Sequence, residues 1–411
     1  MTALGDRRCW ILLGFVAFLF LTNAGIAAAP TGDAVDYRAI AIAAPGLPHE
    51  EIGSAYTGRF VVHYLVGELS SATGMPLGFA YGVALVAVLL TLSAVVYGLL
   101  RDRSTSEFAI AAALFALSPY ALRPYLLQTT LLQDLVFVIG LGVCLLGLRQ
   151  RLVVPVLAGL VVAVLGRQSA IAVAPVAAVW ILADPAWRSA TSRRPRTVAA
   201  AAAVLLTAGV YVAIKAFTAP FTGDYEPSVL RNSVLNRIGD LPGAATELAA
   251  HAARTAVPLI VPLAVIVTLV VCVGARRVGF RTWATLVVAA SIVAQPLMID
   301  PAWPGFAYNE QRLAALALLP LACAAGDLYA QWRRRPLAGN WLVLVLALLA
   351  VGSLHHEFSL VGPASLAVFL AVQVAVAVAV AALVTLNNRP PPPPAPPLLR
   401  GAGCRVYGDQ T

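Results

Sequence analysis

Asp33 and Asp36, in the stretch GDAVDYRAI, are the first groups in this chain whose type and spacing suit chemistry. On a helix, carboxylates three residues apart share a face one turn apart. Such a pair can act as a general base with its helper, or supply two oxygen ligands to a divalent cation such as magnesium or manganese. The same pattern suits a capping cluster, with Asp33 as N-cap of a short helix and Asp36 at its third position, and that role needs no catalysis. The local pattern leaves both readings open.

A second set could bind an anion. Arg59 and His63, in YTGRFVVHYLVGELS, are four residues apart, so on one helix they face the same way. Arginine brings a planar donor fork and histidine a further donor, which together could grip a phosphate; the alternative is that both snorkel to head groups. Arg123 in SPYALRPYLLQ and Asp134 in LLQDLVF flank the start of an apolar segment, and Asp134 could simply pair with Arg123. Arg167 stands in an almost continuous apolar run from Leu152 to Leu182, preceded by Gly166. A charge at such a place marks either a helix turn at a membrane surface or the wall of a polar cleft. Farther on, DPAWPGFAYNEQRLAALALLPL brings Tyr308, Asn309, Glu310 and Arg312 just before a long apolar stretch. If the helix starts there, Asn309 caps it and Glu310 suits its positive end, whereas Arg312 opposes the dipole and gains a reason to hold an anion.

The elements that must position these residues are apolar helices. The chain has 411 residues, 60% of them hydrophobic and only 11% charged, and its mean hydropathy is +0.84. A soluble protein is about 25% charged, so these values predict an integral membrane protein. Although the formal charge is +9, a nucleic-acid binder needs a basic face on a soluble domain, which this pattern does not supply. The five cysteines lack CxxC spacing, excluding a zinc knuckle or disulfide framework from the reading. Cys9 to Ala29 imitates a signal peptide, but its apolar run is nearer a bilayer span, so it reads as a retained first helix.

Apolar segments fall near 10–29, 79–100, 108–121, 130–148, 152–166, 168–184, 197–217, 256–275, 282–299, 311–330, 341–356 and 363–386. They predict an all-α polytopic protein of about 12 transmembrane helices, within a range of 10–13. With both termini cytoplasmic, 19 of the 28 basic residues fall on the inner side, as orientation by positive charge requires. The outer polar segments are then 30–77, 218–254, 300–312 and 355–359, with Tyr56 to Ser70 forming an amphipathic helix at the interface. Residues 1–386 make the transmembrane domain, and 387–411 a proline-rich, disordered cytoplasmic tail that could dock a partner. No Walker loop, GxGxxG, HExxH or GxSxG motif occurs, which removes recognisable nucleotide-driven pumps, dinucleotide domains and classical hydrolases.

The layout resembles the GT-C superfamily of polytopic glycosyltransferases. The matching features are Asp33 and Asp36 soon after the first helix, the juxtamembrane YTGRFVVHYLVG, the mid-chain GRQSA and the late YNEQRLAAL. A DxD triplet is absent, and Gly32-Asp33 lacks the acidic neighbour some relatives carry. The resemblance implies a plasma-membrane enzyme that moves a hexosyl or pentosyl group from a polyprenyl-phosphate-linked donor to an envelope glycan, lipid or protein on the extracytoplasmic face. It implies Asp33 as base with Asp36 as helper or metal ligand, and Arg59, His63, Arg123, Arg167 and Arg312 as candidates for the donor phosphate. Asp134, Tyr308 and Glu310 would support them. The competing expectations are a transporter or lipid flippase with buried charges along a pathway, and a noncatalytic scaffold of envelope synthesis.

Overall fold

A computed structural model of the chain describes residues 6–23, 32–118, 120–223, 239, 241–298, 306–332, 339–354 and 366–386. Outer segments 300–305, 355–359 and, within 218–254, residues 224–238 and 240, together with the tail 387–411, lie outside the described residues, as do the side chains of Asp33 and Tyr308.

The described chain is almost entirely helical. The first helices are α1 (Arg7–Asn23), α2 (Gly32–Ala43), α3 (Ser54–Thr57), α4 (Phe60–Thr73), α5 (Leu77–Leu100), α6 (Thr105–Ala116) and α7 (Arg123–Leu127). The middle of the chain forms α8 (Leu132–Gln150), α9 (Val153–Gly166), α10 (Ala170–Ala183), α11 (Pro185–Ala190) and α12 (Arg193–Thr218). The last are α13 (Leu241–Ala256), α14 (Ile260–Val273), α15 (Phe280–Met298), α16 (Phe306–Ala315), α17 (Leu318–Trp332), α18 (Gly339–Leu354) and α19 (Leu366–Leu386).

Among the described residues, four stretches are long and apolar enough to cross a membrane: Leu77–Leu100, Thr129–Gln150, Arg193–Phe221 and Glu310–Trp332. They support an integral membrane protein. In the apolar 18-residue window of each, the buried share is 83% for Thr129–Gln150 and 94% for Glu310–Trp332, against 39% and 28% for the other two, so α8 and the α16–α17 pair form the centre of the bundle. Several other expected spans are short. The apolar run 152–182 is divided at Arg167 into α9 and α10, of 14 residues each. At about 1.5 Å per residue neither alone matches a hydrocarbon core about 30 Å thick.

Two helix boundaries differ from expectation. The single interfacial helix over Tyr56 to Ser70 is interrupted: α3 stops at Thr57, and Arg59, in a non-helical conformation, is the N-cap of α4. Leu65 of α4 is still exposed, while Val62, His63, Val66 and Gly67 are buried, giving the two-faced helix the sequence predicts. The helix expected from 311 instead begins at Phe306, so Asn309 lies within α16 rather than capping it. Arg312 therefore sits in the last turn of α16, where the dipole favours a cation.

Two glycines allow the approaches that build the site. A Cβ on Gly67 would fall on the Ala41 carbonyl, so α4 lies directly against α2. A Cβ on Gly166 would strike the Phe137 amide and come within 2.6 Å of the Gln133 carbonyl oxygen, which seats the end of α9 against the start of α8. The first polar segment is also tied to the end of α12, since Ile52 donates to the Phe221 carbonyl at 3.0 Å and accepts from Gly223 at 3.0 Å. Charged pairs cross-link the central helices at both ends: Arg312 of α16 with Asp134 of α8, and Asp327 of α17 with Arg149 of α8.

Candidate functional site: a buried arginine cluster

Asp134 is completely buried near the start of α8. A carboxylate there remains charged only with partners, because removing an unpaired ion from water costs several kcal/mol. Its partners come from two distant elements. Arg167, held in extended conformation where α9 ends, pairs with Oδ1, and Arg312 places Nε 3.3 Å from Oδ2. The Tyr125 hydroxyl adds a long contact to Oδ2 at 3.4 Å. The pairing that the short sequence separation predicts, Arg123 with Asp134, does not form; Arg123 instead donates to Thr22 Oγ1 at 2.8 Å and lies over the Phe18 ring. Burial pushes the Arg123 guanidinium down to about 10, which leaves it cationic at neutral pH.

Arg59 extends this cluster toward α2. Its guanidinium donates to the Tyr37 hydroxyl and lies over the Tyr37 ring, and it is within electrostatic reach of both Asp134 and Arg167. Tyr37, fully buried, stacks on His63 with ring centroids 4.1 Å apart. Tyr81 donates to the Tyr37 carbonyl at 3.2 Å, so its oxygen accepts from His63 Nδ1 at 3.1 Å. That pattern assigns His63 the tautomer with Nε2 bare. Burial, reinforced by nearby Arg59, pushes the His63 pKa down to about 3, so the ring is neutral at physiological pH. Neither Arg59 nor His63 snorkels, since they are 6% and 0% exposed.

Arg59, Arg167 and Arg312, all buried, thus gather around Asp134 from three separate elements. Glu310, also fully buried, is on the same helix as Arg312, and Lys215 at the end of α12 lies within reach of Arg59. Among the described groups around Asp134, three guanidiniums face that one carboxylate inside apolar surroundings. Such a region attracts an anion, and planar guanidinium forks match phosphate oxygens in particular.

No family model, curated protein or solved structure matches the chain.

Asp36 is half-buried on α2, and Asp33 occupies the first turn of that helix, one turn before Tyr37. Both carboxylates therefore belong to the helix that Arg59 grips through Tyr37, and Asp33 is inside the helix rather than preceding it as a cap. Among the described residues no group of three or more His, Cys, Asp or Glu side chains surrounds a common point.

Tyr37, Tyr81, Tyr125, Gln133 and Lys215 complete this region and were not among the residues expected from the sequence. Gln133 carried a usable signal, being an amide beside Asp134 in an otherwise apolar segment. The three tyrosines carried none, since aromatic residues in membrane proteins are expected at the interface anyway.

Proposed function

We propose that the protein transfers a sugar, hexosyl or pentosyl, from a polyprenyl-phosphate-linked donor to a cell-envelope acceptor at the extracytoplasmic face. The observation that carries this reading is the convergence of Arg59, Arg167 and Arg312 around one buried carboxylate, beside the helix that bears Asp33 and Asp36. In the proposed reaction Asp33, helped by Asp36, takes the proton of the acceptor hydroxyl. The acceptor oxygen forms a bond to the anomeric carbon as the bond from that carbon to the phosphate oxygen breaks. The polyprenyl phosphate leaves with the electron pair, and the arginines stabilise its growing charge. Neutral His63 holds Tyr37 and, through it, the direction of Arg59.

The test is sugar transfer in proteoliposomes containing the full chain and a polyprenyl-phosphate-linked sugar. Asp33→Asn abolishes transfer while insertion and melting temperature stay unchanged. Full activity of that variant removes Asp33 as the base.

One observation favours a second reading, a transporter or lipid flippase: a charged cluster of half-buried Arg103 and Arg149 with buried Asp327 stands at the opposite end of the same central helices. Movement of a labelled polyprenyl phosphate between leaflets, without sugar transfer, would decide for it.

A further inference from the structure

The opposite end of the bundle holds a cavity of about 590 Å³. This is within the range of about 300–1,000 Å³ usual for small-ligand sites. It opens where the ends of α5, α8 and α17 meet the starts of α11 and α15, and its charged lining is Arg103, Arg149, Arg281, Asp102, Asp184 and Asp327. By number these charges cancel. By available hydrogen-bonding capacity they do not, and that difference identifies the ligand.

The buried carboxylates are already committed to the protein. Asp327 takes Arg103 on Oδ1 and Arg149 on Oδ2, the latter at 2.7 Å. Asp184 accepts from the Ala186 backbone at 2.9 Å, capping α11, and from Trp180 Nε1 at 3.4 Å. Asp102 is 92% exposed and lies 3.9 Å from Arg101, so solvent screens it. Gln331 is spent too, accepting from Gly279 at 3.3 Å and donating to Thr282 at 3.1 Å.

The arginines keep donors in reserve. A guanidinium has five N–H donors. Arg149 uses its terminal nitrogens on Asp327 while its buried Nε has no hydrogen-bond partner, and Arg281 makes only a loose 3.8 Å contact with Asp184. Asp327 therefore fixes two guanidiniums side by side, and Arg281 stands across the cavity as a third. A lining with committed acceptors and surplus fixed donors calls for a ligand rich in acceptor oxygens. The volume exceeds what an inorganic anion fills, and Phe280, Leu146 and Pro185 give the remainder an apolar side.

We propose that this cavity is a second ligand site, which binds a small organic phosphate ester through Arg103, Arg149 and Arg281. The same chemistry is carried by a soluble ester and by a phospholipid head group. The site is independent of the proposed transfer reaction, because its residues lie at the other end of α8 from Asp134.

The test uses the full chain in nanodiscs of phosphatidylcholine. Affinity is measured for glycerol 3-phosphate in solution and, separately, for phosphatidylglycerol added to the disc. Arg281 is 39% exposed, so Arg281→Gln leaves folding intact. The expected result is binding of at least one probe, weakened about tenfold or more by Arg281→Gln, the scale of one lost charge-assisted bond. Binding of glycerol 3-phosphate marks a soluble ester as the source, and binding of phosphatidylglycerol alone marks a lipid head group. Binding of neither probe, or binding unchanged by Arg281→Gln, overturns the proposal. Sugar transfer is not read in this experiment, so its outcome is separate from that of the transfer assay.

Discussion

Arg312 in the last turn of α16 places its Nε 3.3 Å from Asp134 Oδ2 near the start of α8, with both residues buried in the centre of the bundle. Arg167 occupies the other oxygen of the same carboxylate. One acidic group thereby holds two guanidiniums that would otherwise repel each other. It orients positive charge without cancelling it, which is the property a phosphate site requires.

Removing that carboxylate leaves two buried cations uncompensated. Asp134→Asn is expected to cost about 3–5 kcal/mol, the usual cost of breaking a buried pair from one side. Thermal unfolding in detergent measures it. Combining Asp134→Asn with Arg167→Gln should cost less than the sum of the two changes, because each then removes part of the other's penalty.

Glycine substitutions separate packing from composition. Gly166→Ala forces α9 away from the Phe137 amide and the Gln133 carbonyl, and overpacking of this kind costs about 1–3 kcal/mol. Gly209→Ala on α12 meets nothing within 4 Å and should be neutral or stabilising by up to about 1 kcal/mol, since it only relieves glycine's entropy cost in a helix. Opposite signs in melting temperature are the expected result. Gly166→Ala should also weaken anion binding, because it displaces Arg167.

The buried histidine makes stability depend on pH. His63 has an ordinary pKa of 6.5, and its folded value is depressed to about 3, so the unfolded chain takes up a proton more readily than the folded one. Its contribution is fully present above about pH 6.5 and is lost as pH falls toward 3. The slope in that window is up to about 1.4 kcal/mol per pH unit. Comparing acid stability of the protein with that of His63→Gln checks this: the variant should lose that part of the slope.

The sequence made some of this legible and hid the rest for identifiable reasons. Arg167 announced a break, because a charge in the middle of an apolar run has few places to go, and α9 does end there. The polar-and-apolar mixture of residues 56–70 announced a two-faced helix, but not that Arg59 would end up outside it as the N-cap. Pairing was the least legible feature. Asp134 has an arginine nearby in sequence, yet it pairs with two distant ones, because those choices are fixed by helix packing and not by spacing. The start of α16 was missed as well, since the stretch from Phe306 to Asn309 looks like a continuation of the preceding polar segment.

Native mass spectrometry of the full chain with polyprenyl phosphate tests the phosphate role of the cluster most directly. The protein is expected to retain one bound lipid, with affinity falling about tenfold or more in Arg59→Gln and in Arg167→Gln, and less in Arg167→Lys, which keeps charge but loses the fork. Unchanged retention in both glutamine variants, with each still folded, would contradict the account.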